Sequence, residues 1–368
     1  MSGVNIREVG GLSVFSDALA SLVREYGDQY EIVALVMRRG LFDIAGVTYL
    51  EFPRIMRSWL SRLRFEYWSS RNISARLKPK LWLSMHDMTP NVCAEIRAVY
   101  CQNPSPFYRA TPSEFFLDWR FGLFTLFYRY LYQINIHAND YVIVQQDWMR
   151  KSFMRLYGLR NIVVAHPVVS LPDRVEKGAA GGAASRPYRF FYPAYPRTFK
   201  NPEVCLKAAR ILERRGFHEF ELWLTFAASA NRYAARVVRE FADVRSVRWL
   251  GLLPRERIFD LYGEADCLLF ASLLETWGMP ITEMRGFGKP ILAADLPYAH
   301  ESAAGYNQVR FFEPGDVEQL ADLMQQAATA QPIFAKAPEA VIEEPYAGNW
   351  SELWALLLPH SSDANLSS

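Results

Sequence analysis

Hydrophobic positions in the second half of the chain recur in two alternating rhythms. Short apolar runs rich in aromatic and β-branched residues read as strands: YRFFYPAY (188–195), FELWLTF (220–226), VRWLGLL (247–253), CLLFAS (267–272) and PILAAD (290–295). Between them lie stretches with apolar residues three and four apart. These are PEVCLKAARILERRG closed by Gly216, NRYAARVVREFAD, PRERIFDLYGEA opened by Pro254, MPITEMRGFG and, after the last strand, VEQLADLMQQAATA. That spacing gathers apolar side chains on one helical face. Strands separated by helices of this length build βαβ units, and so a parallel sheet with helices on both faces.

The first half follows the same rhythm less regularly. LSVFSDALASLVREYG predicts a helix after a Gly-Gly turn, and EIVALVM, KLWLSMH and DYVIVQQ predict strands. DWMRKSFMRLYG predicts a helix, and CAEIRAVYC lies on the border between helix and strand. GNWSELWALLLPH reads as a helix capped at Asn349. The Gly-, Ala- and Ser-rich segment before Tyr188 has linker composition. The expected organisation is a first Rossmann-like domain over 1–170, a linker over 171–187 and a second domain over 188–345. A C-terminal helix over 346–360 packs back towards the first domain, and a disordered tail covers 361–368.

Composition supports this division. A length of 368 residues exceeds one ordinary core and fits two domains of similar size. Charged residues make up 22% against 51% hydrophobic, a balance that excludes large-scale disorder. Lys and Arg outnumber Asp and Glu by 20 to 14 up to Ser170, but are outnumbered 21 to 25 after it. A basic half joined to an acidic half points to an anionic partner for the basic one. Cys93, Cys101, Cys205 and Cys267 have no zinc-like spacing and read as reduced, mostly buried thiols of a cytosolic protein. No stretch approaches the roughly 18 apolar residues of a membrane span. The expectation is a protein that is soluble or sits on a membrane without crossing it.

The chemistry concentrates in ASLLETWGMPITEMRGFGKPILAAD, residues 271–295. A strand ends at Ser272, a loop carries Glu275, and Gly278 and Pro280 begin a helix that carries Glu283. Ligands of open α/β sheets lie beyond the carboxyl ends of strands, where helix amino termini point outward. Free N–H groups at Trp277, Gly278 and Met279 there favour anions and hydroxyl acceptors. Two carboxylates beside such a helix start suit a polyhydroxylated ligand attached to a phosphate.

The Glu-x7-Glu spacing, with Gly and Pro between and Gly-Lys-Pro after, resembles the signature of family-4 retaining glycosyltransferases of the kind that build bacterial surface polysaccharides. PRTFKN resembles that family's basic diphosphate-binding segment, with Pro196 in place of a frequent Gly and a shorter Arg-to-Lys gap. VRWLGLLPRERIFDLYGEADCLLFAS and GKPILAAD follow in the family's order. The resemblance implies the GT-B fold, two Rossmann-like domains facing each other across a cleft. It implies that Arg197 and Lys200 neutralise the departing diphosphate. Glu275 would hold donor-sugar hydroxyls with the main chain at Trp277, Gly278 and Met279. Glu283 would hold the ribose, and the main chain near Gly251 and Leu253 would meet the base. It also implies retention of the donor's anomeric configuration, through a same-face displacement in which the leaving phosphate helps deprotonate the acceptor.

In the first half, EVGGLSVFSDAL resembles the family's Gly-Gly loop, where main-chain N–H groups of Gly10 and Gly11 approach the diphosphate or acceptor. The family places a full apolar strand ahead of that loop. Here only Val4 and Ile6 serve, so the strand is very short or the chain begins inside what the natural protein carries. SMHDMTP puts His86 and Asp87 just past a strand end, and in the family a His at this place lies by the donor sugar's C6 hydroxyl and the reacting carbon. Asn103 and Tyr108 lie in a Pro-broken loop that reads either as the acceptor mouth or as a rigid connection. No Asp-x-Asp motif and no His or Cys cluster with metal spacing occurs, so no metal and no other cofactor is expected. The diphosphate charge then falls to basic side chains and helix amino termini.

Residues 54–80 carry eight Lys or Arg against the single acid Glu66, interleaved with Trp59, Leu60, Leu63, Phe65, Tyr67 and Trp68. Such an amphipathic basic segment suits adsorption to an anionic leaflet. The acidic second half argues against nucleic acid as the partner. FFLDWRFGLFTLFYRYLY (115–132) reads as a further aromatic helix, either core or membrane-facing. The favoured function is a metal-independent hexosyl- or deoxyhexosyltransferase. It would move sugar from a nucleotide-sugar donor to a lipid-linked or oligosaccharide acceptor in O-antigen-type polysaccharide or lipopolysaccharide assembly. Its place would be the inner face of the cytoplasmic membrane. A sugar-nucleotide epimerase of the same fold and a catalytically silent assembly scaffold are the alternatives.

Overall fold

The computed structural model describes residues 1–6, 9–55, 58–108, 119–168, 171 and 186–358. Most of the linker segment and the last ten residues of the chain, the whole tail among them, thus lie outside the described residues. The chain divides into two compact units: Met1–Arg109, Leu123–Val168 and Ile342–Ser368 in the first, Ala110–Gly122 and Val169–Val341 in the second.

In chain order the first elements are β1 (Ser2–Gly3), α1 (Val9–Tyr26), β2 (Ile32–Val36), β3 (Val47–Glu51) and α2 (Trp59–Arg64). A π turn over Phe65–Ser69 leads into α3 (Ser70–Leu77) and β4 (Leu81–Ser84). Then come β5 (Ile96–Cys101), α4 (Trp119–Gln133), β6 (Tyr141–Val144), α5 (Asp147–Tyr157) and β7 (Ile162–Ala165). The second unit runs β8 (Tyr188–Tyr192), α6 (Pro202–Arg214), β9 (Phe220–Leu224), α7 (Arg232–Glu240) and β10 (Val247–Trp249). It continues α8 (Arg255–Glu264), β11 (Cys267–Phe270), α9 (Met279–Gly286), β12 (Ile291–Ala294), α10 (Pro297–Ala303), β13 (Val309–Phe312) and α11 (Val317–Ala328). The chain then returns to the first unit with β14 (Tyr346–Ala347) and α12 (Trp350–Leu357).

Among the described residues every pair of the strands named above is parallel. The first sheet has the order β14-β7-β6-β5-β4-β1-β2-β3, the second β10-β9-β8-β11-β12-β13. Counted within its own unit, the second order is the doubly wound 3-2-1-4-5-6. Its central strands read as continuous apolar runs, CLLF and ILAA, because both of their faces are covered.

The first core joins one face of its sheet to α1 and α12. Phe15, Ala18 and Leu19 of α1 pack with Tyr100 of β5 and with Trp350 and Trp354 of α12. The other face meets α4 and α5 through Tyr128, Tyr132, Met149 and Phe153. Gly3 permits β1 to pass under α1, since a Cβ there would lie 2.4 Å from the Phe15 ring. The amino ends of β2 and β4 border a cavity of 410 Å³ walled by Tyr26, Trp82 and Trp354 among others.

Two local expectations are corrected. Gly10 and Gly11 do not form a turn ahead of a helix; they lie in the first turn of α1, which starts at Val9. The buried stripe of Val14, Phe15, Ala18 and Leu19 fixes that helix, and tertiary packing overrides the low helix propensity of glycine. The segment CAEIRAVYC resolves as a strand from Ile96, held between β4 and β6 on its two edges. The strands β1, β3, β13 and β14 and the helices α2, α3 and α10 had no clear periodic signal, being short or at sheet edges.

Candidate functional site

In the second sheet β8 and β11 are neighbours from which the chain leaves towards opposite edges. The crevice beyond their carboxyl ends is the topological switch point, where α/β sheets of this order bind ligands. The loop after β8 carries Arg197 and a 3₁₀ turn over Thr198–Lys200. The loop after β11 is stitched to it: Leu273 N donates to Phe199 O at 2.7 Å, and the Lys200 ammonium is bonded to Glu275 Oε1. The two side chains are 20% and 15% exposed, open enough for a ligand to compete for either. Lys200 also lies over the rings of Phe199 and Phe270 at 5.6 and 5.9 Å, which limits its directions of approach. Arg197 is exposed and rests on the Tyr195 ring at 5.3 Å, so the turn brings Lys200 to Glu275 but leaves Arg197 outside that pair.

Gly278 opens α9 with φ +81°, and a Cβ there would meet the Tyr298 ring at 3.2 Å. Both facts demand glycine and put the start of α9 beside Glu275. Tyr298 in turn donates to Ser272 O at 2.6 Å, and Ser302 Oγ donates to Trp277 O. Trp277 Nε1 donates to Thr282 Oγ1 at 2.9 Å, so its ring is locked and buried while Met279 stays partly exposed. Glu283, in the second turn of α9, accepts from Tyr262 Oη at 2.7 Å and lies 3.5 Å from Arg255. Burial raises its pKa above the ordinary carboxylate value against the pull of these partners. Arg255 and Tyr262 were not anticipated; Arg255 follows Pro254 at the start of α8, and that position was the available signal. Gly251, with φ +75°, and Leu253 lie in the loop after β10 beside Leu252, which is 62% exposed.

The first sheet has its own switch point between β1 and β4. His86, just past β4, is buried, with Nε2 3.1 Å from Ser2 Oγ and 3.6 Å from Glu66 Oε1. Arg62, also buried, donates to His86 O at 3.2 Å. Asp87 has φ +72° and is a hub. It accepts from Gln102 N at 2.6 Å, Asn103 N at 3.0 Å, Tyr132 Oη at 2.8 Å and Tyr128 Oη at 3.1 Å. The structure thus joins Asn103 to the His86 loop. Tyr108 follows the short turn Ser105–Phe107 further along the same connection. Tyr128 and Tyr132, four residues apart in the aromatic stretch, show part of that stretch to be core, whereas Phe127 and Tyr130 are exposed.

Burial pushes the Glu66 carboxyl up to about 8 and the His86 imidazole down to about 3. Although the pair lies within ion-pair distance, burial of both favours the neutral forms. The consequences for stability have opposite signs. Below about 6.5 the unfolded His86 takes a proton that the folded ring refuses, so stability falls as pH drops towards 3. Above about 4.5 the unfolded Glu66 ionises while the folded group does not, so stability falls as pH rises towards 8. The pair therefore gives a plateau between, and Glu66→Gln is expected to remove the alkaline decline. Between pH 5.5 and 8 the wild type should lose about 3 kcal/mol relative to Glu66→Gln, read from urea unfolding at the two pH values.

The basic segment is not one continuous amphipathic face. The π turn inserts an extra residue and rotates Phe65 and Glu66 inward, and Arg62 is buried with them. Arg57 lies outside the described residues. What remains outward includes Trp59, Leu60 and Trp68, 49%, 78% and 69% exposed, together with Arg54, Arg64, Arg71, Arg76, Lys78 and Lys80. Among the described residues no helix is long and apolar enough to cross a membrane.

Comparison with known proteins agrees with this geometry. The profile of the family "Glycosyl transferases group 1" matches residues 176–344. A D-inositol 3-phosphate glycosyltransferase of Corynebacterium aurimucosum is 23% identical over 42% of this chain, and the match spans 38% of that relative's length. WaaG, a glycosyltransferase involved in lipopolysaccharide biosynthesis, superposes with a TM-score of 0.62 at 15% identity, covering 89% of this chain and 90% of its own. Anabaena HepE in complex with UDP and glucose gives 0.55 at 13% identity, with 89% and 90% covered. With the switch-point site and the doubly wound sheets already in place, residues 176–344 are similar to the group 1 glycosyl transferases, and the chain carries the GT-B fold.

Proposed function

We propose that this protein is a retaining glycosyltransferase that uses a nucleoside-diphosphate sugar and a glycan hydroxyl as acceptor. The observation that carries this reading is the Lys200–Glu275 pair at the β8/β11 switch point, next to the glycine-opened amino terminus of α9. The ammonium faces the diphosphate, the carboxylate accepts hydrogen bonds from sugar hydroxyls, and the α9 amides add positive potential. Arg197, Glu283, Gly251 and Leu253 line the same end of the sheet and suit the remaining phosphate, ribose and base. In the transfer, the bond from the anomeric carbon to phosphate breaks and a bond to the acceptor oxygen forms on the same face. The acceptor proton passes to the departing phosphate oxygen. Lys200 stabilises the negative charge that develops there, as a fixed cation in a partly dry site.

The test is turnover of a panel of nucleoside-diphosphate sugars with and without a glycan acceptor, in the presence and absence of EDTA. Acceptor-dependent release of nucleoside diphosphate that survives chelation is the expected result. Acceptor-independent conversion of the sugar would favour the epimerase, and no turnover with any donor the scaffold. Loss on chelation with recovery on magnesium would overturn metal independence.

The exposed Trp59, Leu60 and Trp68 among basic side chains support a lipid-linked acceptor at an anionic cytoplasmic leaflet, in surface polysaccharide or lipopolysaccharide assembly. Neutralising Arg64, Arg71 and Arg76 together is expected to weaken binding to anionic vesicles by about 1 kcal/mol per charge at low salt, fading as salt rises. Turnover on a short soluble acceptor should stay near normal. Equal vesicle sedimentation by wild type and triple variant would remove the membrane role.

A further inference from the structure

The first switch point holds a carboxyl group to which sugar transfer assigns no task. The Glu66 side chain is 1% exposed, and neither of its oxygens has a hydrogen-bond partner. An orphaned buried carboxyl is costly, so its retention calls for a reason. The π turn that carries it is the kind of helical defect that re-aims side chains at functional sites. The turn is anchored from the loop beyond β4, where Asn91 N donates to Glu66 O at 2.9 Å. Arg62 and Tyr67 face the carboxyl from its own segment, and His86 faces it from the end of β4. Arg62 spends its hydrogen bond on the His86 carbonyl, and the Tyr67 hydroxyl has no partner. The Glu66–His86 approach of 3.6 Å is a few tenths of an ångström beyond a hydrogen bond, within reach of a small side-chain rotation.

We infer that Glu66 is a positioning residue for His86: its carboxyl group decides which ring nitrogen carries the proton and holds the ring against Ser2. The geometry stands without the transferase reading; only the use made of the ring rests on that reading. Ser2 can donate or accept, so its hydroxyl alone cannot choose between the two imidazole tautomers. A carboxylic acid offers an O–H to Nε2 and leaves the ring proton on Nδ1. A carboxylate can only accept, and draws the ring proton to Nε2. Burial favours the acid at neutral pH, holding Glu66 up to about 8 while keeping the ring neutral. As pH passes that value one proton leaves Glu66 for solvent, and the ring proton exchanges from Nδ1 to Nε2. His86 Nδ1, buried and without a partner, changes from donor to acceptor. The loop carrying His86 and Asp87, to which Asp87 ties Asn103, is thereby tuned by a group that does not itself touch a substrate.

The test is nitrogen-15 NMR of the histidine rings in the full chain, with His86 assigned by the His86→Asn variant. In wild type the Nδ1 and Nε2 resonances of His86 are expected to exchange character between pH 6 and 9, with no protonated imidazolium at pH 5. Glu66→Gln, of the same shape but without a titrating group, should keep one pattern across the range. A wild-type ring whose tautomer does not change, or the same change in Glu66→Gln, overturns the inference. Should the wild type turn over no nucleotide sugar, the proposed function fails while the tautomer result stands. Should transfer occur, the wild-type rate should show an alkaline limb that Glu66→Gln lacks.

Discussion

Lys200→Ala is expected to lower kcat/KM for the nucleotide-sugar donor by about 10²–10³-fold, the loss typical of removing one preorganised charge from a developing anion. The proposed role rests on three features acting together. The 3₁₀ turn after β8 presents it, the Phe199 and Phe270 rings limit its directions, and Glu275 holds it when no donor competes. Removing it leaves Glu275 without its partner. Both groups are partly exposed, so solvent screens the loss and the cost in stability should be about 1 kcal/mol or less. A thermal melt close to wild type, alongside the kinetic loss, separates chemistry from unfolding. Lys200→Arg should recover part of the rate, because it keeps the charge while changing the donor geometry. Near-normal turnover by the alanine variant would place the diphosphate elsewhere.

Asp87→Ala is expected to destabilise the first unit by about 3–5 kcal/mol, the range for stripping a buried charged partner from its donors. Four donors converge on this carboxylate: the amides of Gln102 and Asn103, and the hydroxyls of Tyr128 and Tyr132. They join the end of β4 to the end of β5 and to α4, so their loss unties three elements at once. The φ of +72° adds to the effect, because alanine is strained there whereas Asp and Asn are tolerated. Asp87→Asn should therefore cost much less, keeping the backbone conformation and an acceptor for the two amides. Urea unfolding of the two variants measures the difference, and an alanine variant as stable as the asparagine one would show that the donors find other partners. Burial already holds the Asp87 carboxyl above its ordinary range, so the hub survives a partial loss of charge better than a loss of shape.

Some of this was legible in the sequence because it depends on local rules. The alternation of apolar runs with helical spacing specifies βαβ units wherever strands are buried on both faces, and β8, β9, β11 and β12 were readable for that reason. Asn349 signalled the start of α12, since a cap is satisfied within three residues. Glu275, Gly278 and Glu283 stood out by their mutual spacing, and a short loop followed by one helix carries that spacing into space unchanged.

What depends on distant partners was not legible. The chain reads Gly10 and Gly11 as a turn, yet the stripe of α1 packed on the first sheet extends the helix through them. Residues 54–80 read as one basic face, whereas the π turn sends Arg62 and Glu66 inward to meet His86, which comes from another element. Neither a defect of one residue in a helix nor a partner twenty positions away leaves a periodic trace. The pairing of Lys200 with Glu275, 75 residues later, has the same origin. Sequence determined the buried central strands, the longer amphipathic helices and which residue types the β11 loop offers, because those follow from local periodicity. The strand order brought β8 beside β11 and β1 beside β4, and so decided which of those residues meet, because sheet neighbours are chosen by the packing of the whole unit.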